Sequence, residues 1–416
     1  MGQDQRMHIR GSRPAPVGLA DVTAARELLT GVVSTTPVAG SRALSQLCAG
    51  PVRFKCENLQ RTGSFKIRGA YTRIARLDAE QRAHGVVAAS AGNHAQGVAL
   101  AAQTLGLTAT VFMPAQAALP KVAATRGYGA DVHLVGETVE DSIAAATAFA
   151  ERTGAVLVHP FDHPDVIAGQ GTVGLELLEQ VPDVRSVLVG TGGGGLLGGV
   201  AAAVKGRRPD VQVIGVQAAA AACWPPSLAA GVPTQLADMR TVADGIAVGR
   251  PGEVTFAQVA ALVDEIVTVG EDSIARALLH CLERAKMLVE PAGAVTVAAL
   301  LEHPGRFPTP TVAVLSGGNV DPLVLLRVIQ HGMAAAARYL SLRVRVRDRP
   351  GALAELLALV GSLGANVLDV AHSRIFESLP LGDVEVELKL ETRGPAHRTE
   401  MVDALVAAGH SVVEQG

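Results

Sequence analysis

Six lysines occur among the 416 residues, and one of them sits where an amine can do covalent chemistry. Lys66 lies between Phe65 and Ile67 in the segment Thr62-Gly63-Ser64-Phe65-Lys66-Ile67-Arg68-Gly69-Ala70. Apolar surroundings disfavour the charged ammonium, and the neutral amine is the form that condenses with a carbonyl. A single lysine is more often a solvated surface charge, so this reading needs other groups beside it. A second segment, Ser90-Ala91-Gly92-Asn93-His94-Ala95-Gln96-Gly97, precedes an Ala-rich stretch. A Gly-Asn turn at a helix start offers unpaired amides suited to a carboxylate, although by itself it also reads as a plain helix cap.

A third segment, Gly190-Thr191-Gly192-Gly193-Gly194-Gly195-Leu196, follows a short apolar run. Four consecutive glycines let backbone amides wrap a phosphate at the positive end of a helix. The same residues satisfy G-x-G-x-x-G at Gly190, Gly192 and Gly195. A dinucleotide site wants an acidic residue about 20 positions on, and here the next strand ends at Gln217, which weakens that reading. Two shorter segments complete the set. Leu315-Ser316-Gly317-Gly318-Asn319 places a serine at a strand end, and Glu290-Pro291-Ala292-Gly293-Ala294 starts a helix with proline in its first turn. Read together, these are one shielded lysine, an asparagine in an anion turn, a phosphate loop and a serine. An aldehyde cofactor with a phosphate, a phenolate oxygen and a pyridine nitrogen requires that combination, which is the chemistry of pyridoxal phosphate.

These segments must be held by a scaffold, and the spacing of apolar runs predicts one. Runs at 86–90, 109–113, 132–135, 186–189, 211–216, 265–269 and 312–315 are short and β-branched, and stretches of helical length separate them. That alternation predicts parallel βαβ units with helices on both faces of the sheets. After Asn319 the character changes. A connecting helix is expected over 321–338, then strand Leu340–Val346, helix Ala352–Leu363, strands Val367–Ile375 and Val384–Leu390, helix His397–Ala408 and strand Ser411–Val413. The order βαββαβ is the split ferredoxin-like motif.

Bulk composition sets the outer limits. The chain is 49% hydrophobic and 18% charged, which excludes wholesale disorder, and its length suits two to three domains. A net charge of −3 gives no footprint for nucleic acid. No apolar run approaches the roughly 20 residues that span a bilayer. The polar start, 1–18, is expected to be a disordered leader. The four cysteines have no zinc or redox spacing and are expected to be buried thiols. A cytoplasmic protein is expected.

The five segments, in this order, resemble those of the threonine/serine dehydratase group of fold-type II pyridoxal-phosphate enzymes, over about 22–318. The resemblance implies an α/β architecture: a two-lobed, parallel-sheet core over 19–320, with a small lobe of roughly 67–160 inserted in the large one. It also implies roles. Lys66 is the Schiff-base lysine, Phe65 adjoins the cofactor, and Gly192, Gly193, Gly194, Gly195 and Leu196 hold its phosphate. Asn93 meets the ring oxygen and Ser316 the pyridine nitrogen. The turn Ser90, Ala91, Gly92, Asn93 and His94 holds the substrate carboxylate, and Glu290 has an accessory role. The implied reaction is β-elimination of water from threonine, giving 2-oxobutanoate and ammonia.

Relatives that racemise serine carry a second serine where this chain has Ala91, so racemisation is disfavoured. They also bind a divalent metal through acidic side chains, where this chain has Gln217–Cys223, without a carboxylate; no tight metal site is expected. Residues 339–416 resemble an ACT domain, on Asp348-Arg349-Pro350-Gly351-Ala352-Leu353 and Gly364-Ala365-Asn366-Val367. That resemblance implies an amino-acid effector, isoleucine or valine, near Gly351 and Asn366, and a homodimer or homotetramer. A serine-preferring dehydratase and an inactive amino-acid sensor on the same fold are the rival readings.

Overall fold

The computed structural model describes residues 16–373 and 382–415. Two compact units divide the chain: one runs to Asp321, apart from the short stretch Leu278–His280, and that stretch groups with the second unit, which begins at Pro322.

The first unit holds two sheets. The larger has strands β1 (Val38–Gly40), β2 (Val52–Cys56), β7 (Ser186–Gly190), β8 (Gln212–Ala218), β9 (Glu265–Val269) and β10 (Thr311–Leu315), in the order β1-β2-β10-β7-β8-β9. All neighbours are parallel except β1 with β2. The smaller sheet is fully parallel: β3 (Val86–Ala89), β4 (Ala109–Met113), β5 (Asp131–Leu134) and β6 (Val156–Leu157), in the order β5-β4-β3-β6. Every residue of β3, β7 and β10 is buried. Helices cover both faces of such strands, which is why these runs are apolar throughout rather than alternating.

β1, β2 and β6 are additions to the strands expected from apolar runs, and β2 shows why. Its sequence Val-Arg-Phe-Lys-Cys carries two charges, yet Lys55 is fully buried because Glu176, 121 residues away, neutralises it at 2.6 Å. The expected leader falls outside the described residues as far as 15. Its last part is packed: Val17 is buried and exchanges two backbone hydrogen bonds of 2.8 Å with the Gln258 amide. Order therefore begins before Leu19. All four cysteines are buried free thiols. Among the described residues, no helix is long and apolar enough to cross a membrane.

The second unit is an antiparallel sheet of β11 (Tyr339–Arg347), β12 (Asn366–Ser373), β13 (Asp383–Glu391) and β14 (Ser411–Gln415), in the order β12-β13-β11-β14. Helices Ala352–Ser362 and Pro395–Ala407 pack on one face. Leu340, Leu342, Val344 and Val346 point into that core beside Leu356, Val360, Met401 and Leu405, while Arg343 and Arg347 are exposed. One covered face gives the period of two expected for such a strand. The connecting helix is Pro322–Ala335. Arg374 and Ile375, the end of the second strand expected in this unit, lie outside the described residues.

Candidate active site

Chain ends and helix starts converge at one place in the first unit. β3 and β7 run out there into the helices Asn93–Leu105 and Gly195–Arg207, and β10 runs out into the turn Ser316–Asn319. Helices Lys66–Ala75 and Pro291–Glu302 also begin there. Ligands of open parallel sheets collect beyond the carboxyl ends of the strands, for this reason of topology.

Lys66 is the first residue of its helix. Its Nζ donates to the Pro160 carbonyl at 2.9 Å and lies 5.2 Å from the centre of the Phe65 ring. Burial brings its pKa down to about 8, with Glu290 opposing the fall. Lys55 is fully buried while Lys66 is only partly so, so burial alone does not single out Lys66. Their partners separate them. Lys55 is satisfied by Glu176 (2.6 Å), Gln180 (2.9 Å) and the Thr36 carbonyl (2.7 Å). Among the described residues, no carboxylate lies within ion-pair distance of Lys66, which leaves its amine able to react.

A chain of polar groups links these elements. Asn319 Nδ2 donates to the Thr62 carbonyl and, at 2.8 Å, to Asn93 Oδ1, and Asn93 Nδ2 donates to Glu290 Oε1 at 2.8 Å. Glu290 is buried, and burial with the nearby Asp244 charge pushes its carboxyl up to about 7. The Ser316 turn is fixed by its neighbours: Phe65 N–H donates to the Ser316 carbonyl (3.2 Å), Glu290 N–H to the Gly317 carbonyl (3.0 Å) and Gly318 N–H to the Gly63 carbonyl (2.9 Å). A Cβ on Gly317 would meet Glu290 Oε1 at 2.4 Å, so only glycine lets the turn pass between Glu290 and Asn93. Lys66, Asn93, Glu290 and Ser316, distant in sequence, are thus knitted into one site.

The glycine loop is equally constrained. A Cβ on Gly193 would sit 2.4 Å from the Phe161 ring, and one on Gly194 2.4 Å from Trp224. Gly194 has φ +94°, the left-handed region that glycine enters without cost. Trp224 fixes the loop by donating from Nε1 to the Gly192 carbonyl at 2.7 Å. Gln217 in turn accepts the Trp224 backbone N–H at 3.0 Å. The residue that argued against a dinucleotide therefore has a task of its own. A backbone cradle stripped of side chains, at the start of helix Gly195–Arg207 and in the same site as a shielded amine, fits the phosphate and aldehyde of pyridoxal phosphate.

The turn 90–94 opens helix Asn93–Leu105, whose first turn has no side-chain cap. Ser90 Oγ accepts from Gly92 N–H at 3.1 Å. His94 is buried, its Nε2 lies 2.7 Å from the Val158 carbonyl, and burial with the Lys66 charge depresses its pKa to about 3. The ring is therefore neutral and donates from Nε2 to Val158, so toward a carboxylate only the backbone N–H of His94 can donate. Gly351 and Asn366 are in the second unit. Gly351 caps helix Ala352–Ser362 with φ +90°, and Asn366 starts the strand beyond that helix. Eleven helical residues separate them, roughly 16 Å of helix, so within one copy they do not share a pocket. A groove of about 490 Å³ in this unit is lined by Arg345, Arg349, Glu355 and His410 among others, and includes neither.

Several residues of the site had no assigned role in sequence. Asn319 stands inside a quoted motif, but its bond to Asn93 spans 226 positions. Phe161, Pro160, Trp224 and Asp244 carry no local signal.

Comparison with known proteins shows the family. The family model for pyridoxal-phosphate dependent enzymes matches residues 29–317, and that for the ACT domain matches 340–400. An L-threonine ammonia-lyase of Thermotoga maritima is 48% identical over 396 residues, covering 95% of this chain and 99% of the relative. A solved threonine deaminase structure from T.th. is 44% identical with a TM-score of 0.70, covering 73% of this chain and 99% of that one. A maize serine racemase structure is 36% identical with a TM-score of 0.72, covering 75% and 97%. With Lys66, the glycine loop and the Ser316 turn assembled on two parallel sheets, the chain belongs to the pyridoxal-phosphate dependent enzymes and carries a C-terminal ACT domain.

Proposed function

We propose that the chain is a threonine ammonia-lyase, converting L-threonine to 2-oxobutanoate and ammonia. One observation carries the reading: an amine with pKa about 8 lies at the head of a helix, in the site lined by Asn93, Ser316 and the tetraglycine loop. The 48% identity to a threonine ammonia-lyase along nearly the whole chain supports it.

Pyridoxal phosphate, when bound, supplies an electrophilic carbon for the substrate amine and a conjugated ring that accepts the electron pair left at Cα. The chain's residues do the rest. Gly192–Gly195 and Leu196 hold the phosphate with backbone amides, and Asn93, braced by Glu290 and Asn319, holds the ring oxygen. Ser316 would be the residue that meets the ring nitrogen. A hydroxyl would not keep that nitrogen protonated as an aspartate would, so the ring would be a weaker electron sink, suited to elimination. Lys66, free as an amine once the substrate is engaged, removes the Cα proton as general base. The turn 90–94 holds the carboxylate. Ala91 has no proton to give on the opposite face, so racemisation is not expected.

The ACT unit is proposed to bind a branched-chain amino acid, isoleucine or valine, and to regulate a homo-oligomeric, cytoplasmic enzyme feeding isoleucine synthesis. The test is a 2-oxoacid assay comparing L-threonine with L-serine, with and without isoleucine and valine. Threonine is expected to be preferred, and a branched-chain amino acid to change the rate. Lys66→Ala is expected to lose both turnover and the visible absorbance of the holoenzyme; a variant that keeps turnover sinks the assignment.

A further inference from the structure

Lys121 is the one remaining lysine at the site, and the reaction as described does not use it. It belongs to helix Leu119–Gly127, next to the small sheet, and its Nζ donates to Asp244 Oδ2 at 3.1 Å. Asp244 lies in a short turn, Asp244–Ile246, that also closes on the glycine loop: a Cβ on Gly192 would meet Ile246 Cα at 3.0 Å. The ion pair therefore joins helix Leu119–Gly127 to the turn that packs on the glycine loop. The same amine hangs over the carboxylate turn. A Cβ on Gly92 would lie 3.7 Å from Lys121 Nζ and 4.0 Å from its Cδ. The two partners are unequally placed, since the Lys121 side chain is 16% exposed and that of Asp244 is 66% exposed. Glu290 also feels both groups, raised by Asp244 and lowered by Lys121.

We infer that Lys121 is a positioning residue for the substrate carboxylate, with Asp244 as the counter-ion that holds the amine until substrate arrives. The inference rests on the reading of the site as an amino-acid lyase. The helix start offers the Asn93 and His94 amides, since Gly92 N–H is taken by Ser90 Oγ, and amides alone orient an anion without balancing its charge. Lys121 supplies that balance, and an exposed aspartate is a partner it can leave at little cost, since exposed ion pairs are weak. A hydrogen bond to a charged group is strong enough for its loss to weaken binding tenfold or more.

Two holoenzyme variants of opposite sign test the idea. Lys121→Met should raise KM for L-threonine at least tenfold while kcat falls much less, and Lys121→Arg should restore most of the affinity. Asp244→Asn should lower KM by a few fold, because it removes the competitor for the amine. A binding titration separates charge recognition from packing. L-2-aminobutanoate has no leaving group, and followed by cofactor absorbance it should bind Lys121→Met at least tenfold more weakly than wild type. Its carboxamide should bind both proteins alike. If the two variants raise KM together, or if the carboxamide weakens as much as the acid, the pair is only a latch between helix and turn and the inference is overturned. If wild type fails to turn over threonine, the reading of the site falls; the titration against L-2-aminobutanoate still decides the role of Lys121.

Discussion

The reactivity of Lys66 is set by two opposed influences, burial and the Glu290 carboxylate. Burial brings the amine down to about pH 8, and Glu290 limits the fall. Replacing Glu290 by Gln removes the negative charge, so the amine should lose its proton at still lower pH. The rate at which cofactor-free protein captures pyridoxal phosphate, followed by absorbance, should have its midpoint near pH 8 in wild type and below that in Glu290→Gln. A midpoint that stays put would show that Glu290 acts through Asn93 alone. Glu290 itself is held near 7, so its support of the amine fades below neutrality. The roles proposed for Lys66 and the glycine loop are readable in the sequence because each lies in a contiguous run of matching residue types. The partner of Asn93 is not, because Asn319 and Glu290 meet it across 226 and 197 positions.

At the scale of elements, the helix bearing Lys66 is anchored by its own third residue. Arg68, fully buried, donates to Glu57 from Nε and Nη2 at 2.8 Å each and to Glu176 from Nη1 at 2.6 Å. This ties that helix to the turn after β2 and to helix Pro164–Gln180. Burial works against the ionised Glu57, but the Arg68 guanidinium outweighs it and holds the carboxyl below its usual range. A depressed carboxyl stabilises the fold above its unfolded pKa, about 4.3, and the contribution disappears as pH falls through the folded value. Wild type should therefore lose stability below about pH 4. Arg68→Met leaves a buried carboxylate without its cation, at a cost of about 3–5 kcal/mol near neutrality. That deficit should shrink on acidification, as Glu57 takes up a proton. Chemical denaturation at pH 7 and pH 5 checks this, and a deficit independent of pH would rule out Glu57 as the cause. The same network explains where reading the sequence stops. β3, β7 and β10 are apolar on both faces and show it locally. β2 carries Lys55 into the core, and only the distant Glu176 makes that tolerable.

The whole molecule has two kinds of core. One is Val- and Ala-rich, spread over parallel sheets, and the other is closed between one antiparallel sheet and two helices. Each core is complete within its own unit, so calorimetry should resolve two transitions. A ligand that binds only the folded state raises the stability of the unit that binds it. Removing pyridoxal phosphate should lower the transition of the first unit and leave that of the ACT unit in place; a joint shift would mean that the two melt as one.

The convergence of four helix starts at residues 66, 93, 195 and 291 has a further bearing. Positive helix ends gathered at one site do not distinguish a cofactor's phosphate from any other tetrahedral oxyanion. Inorganic phosphate and sulfate compete for the same amides, so the buffer in which the protein is purified governs how fast it reloads.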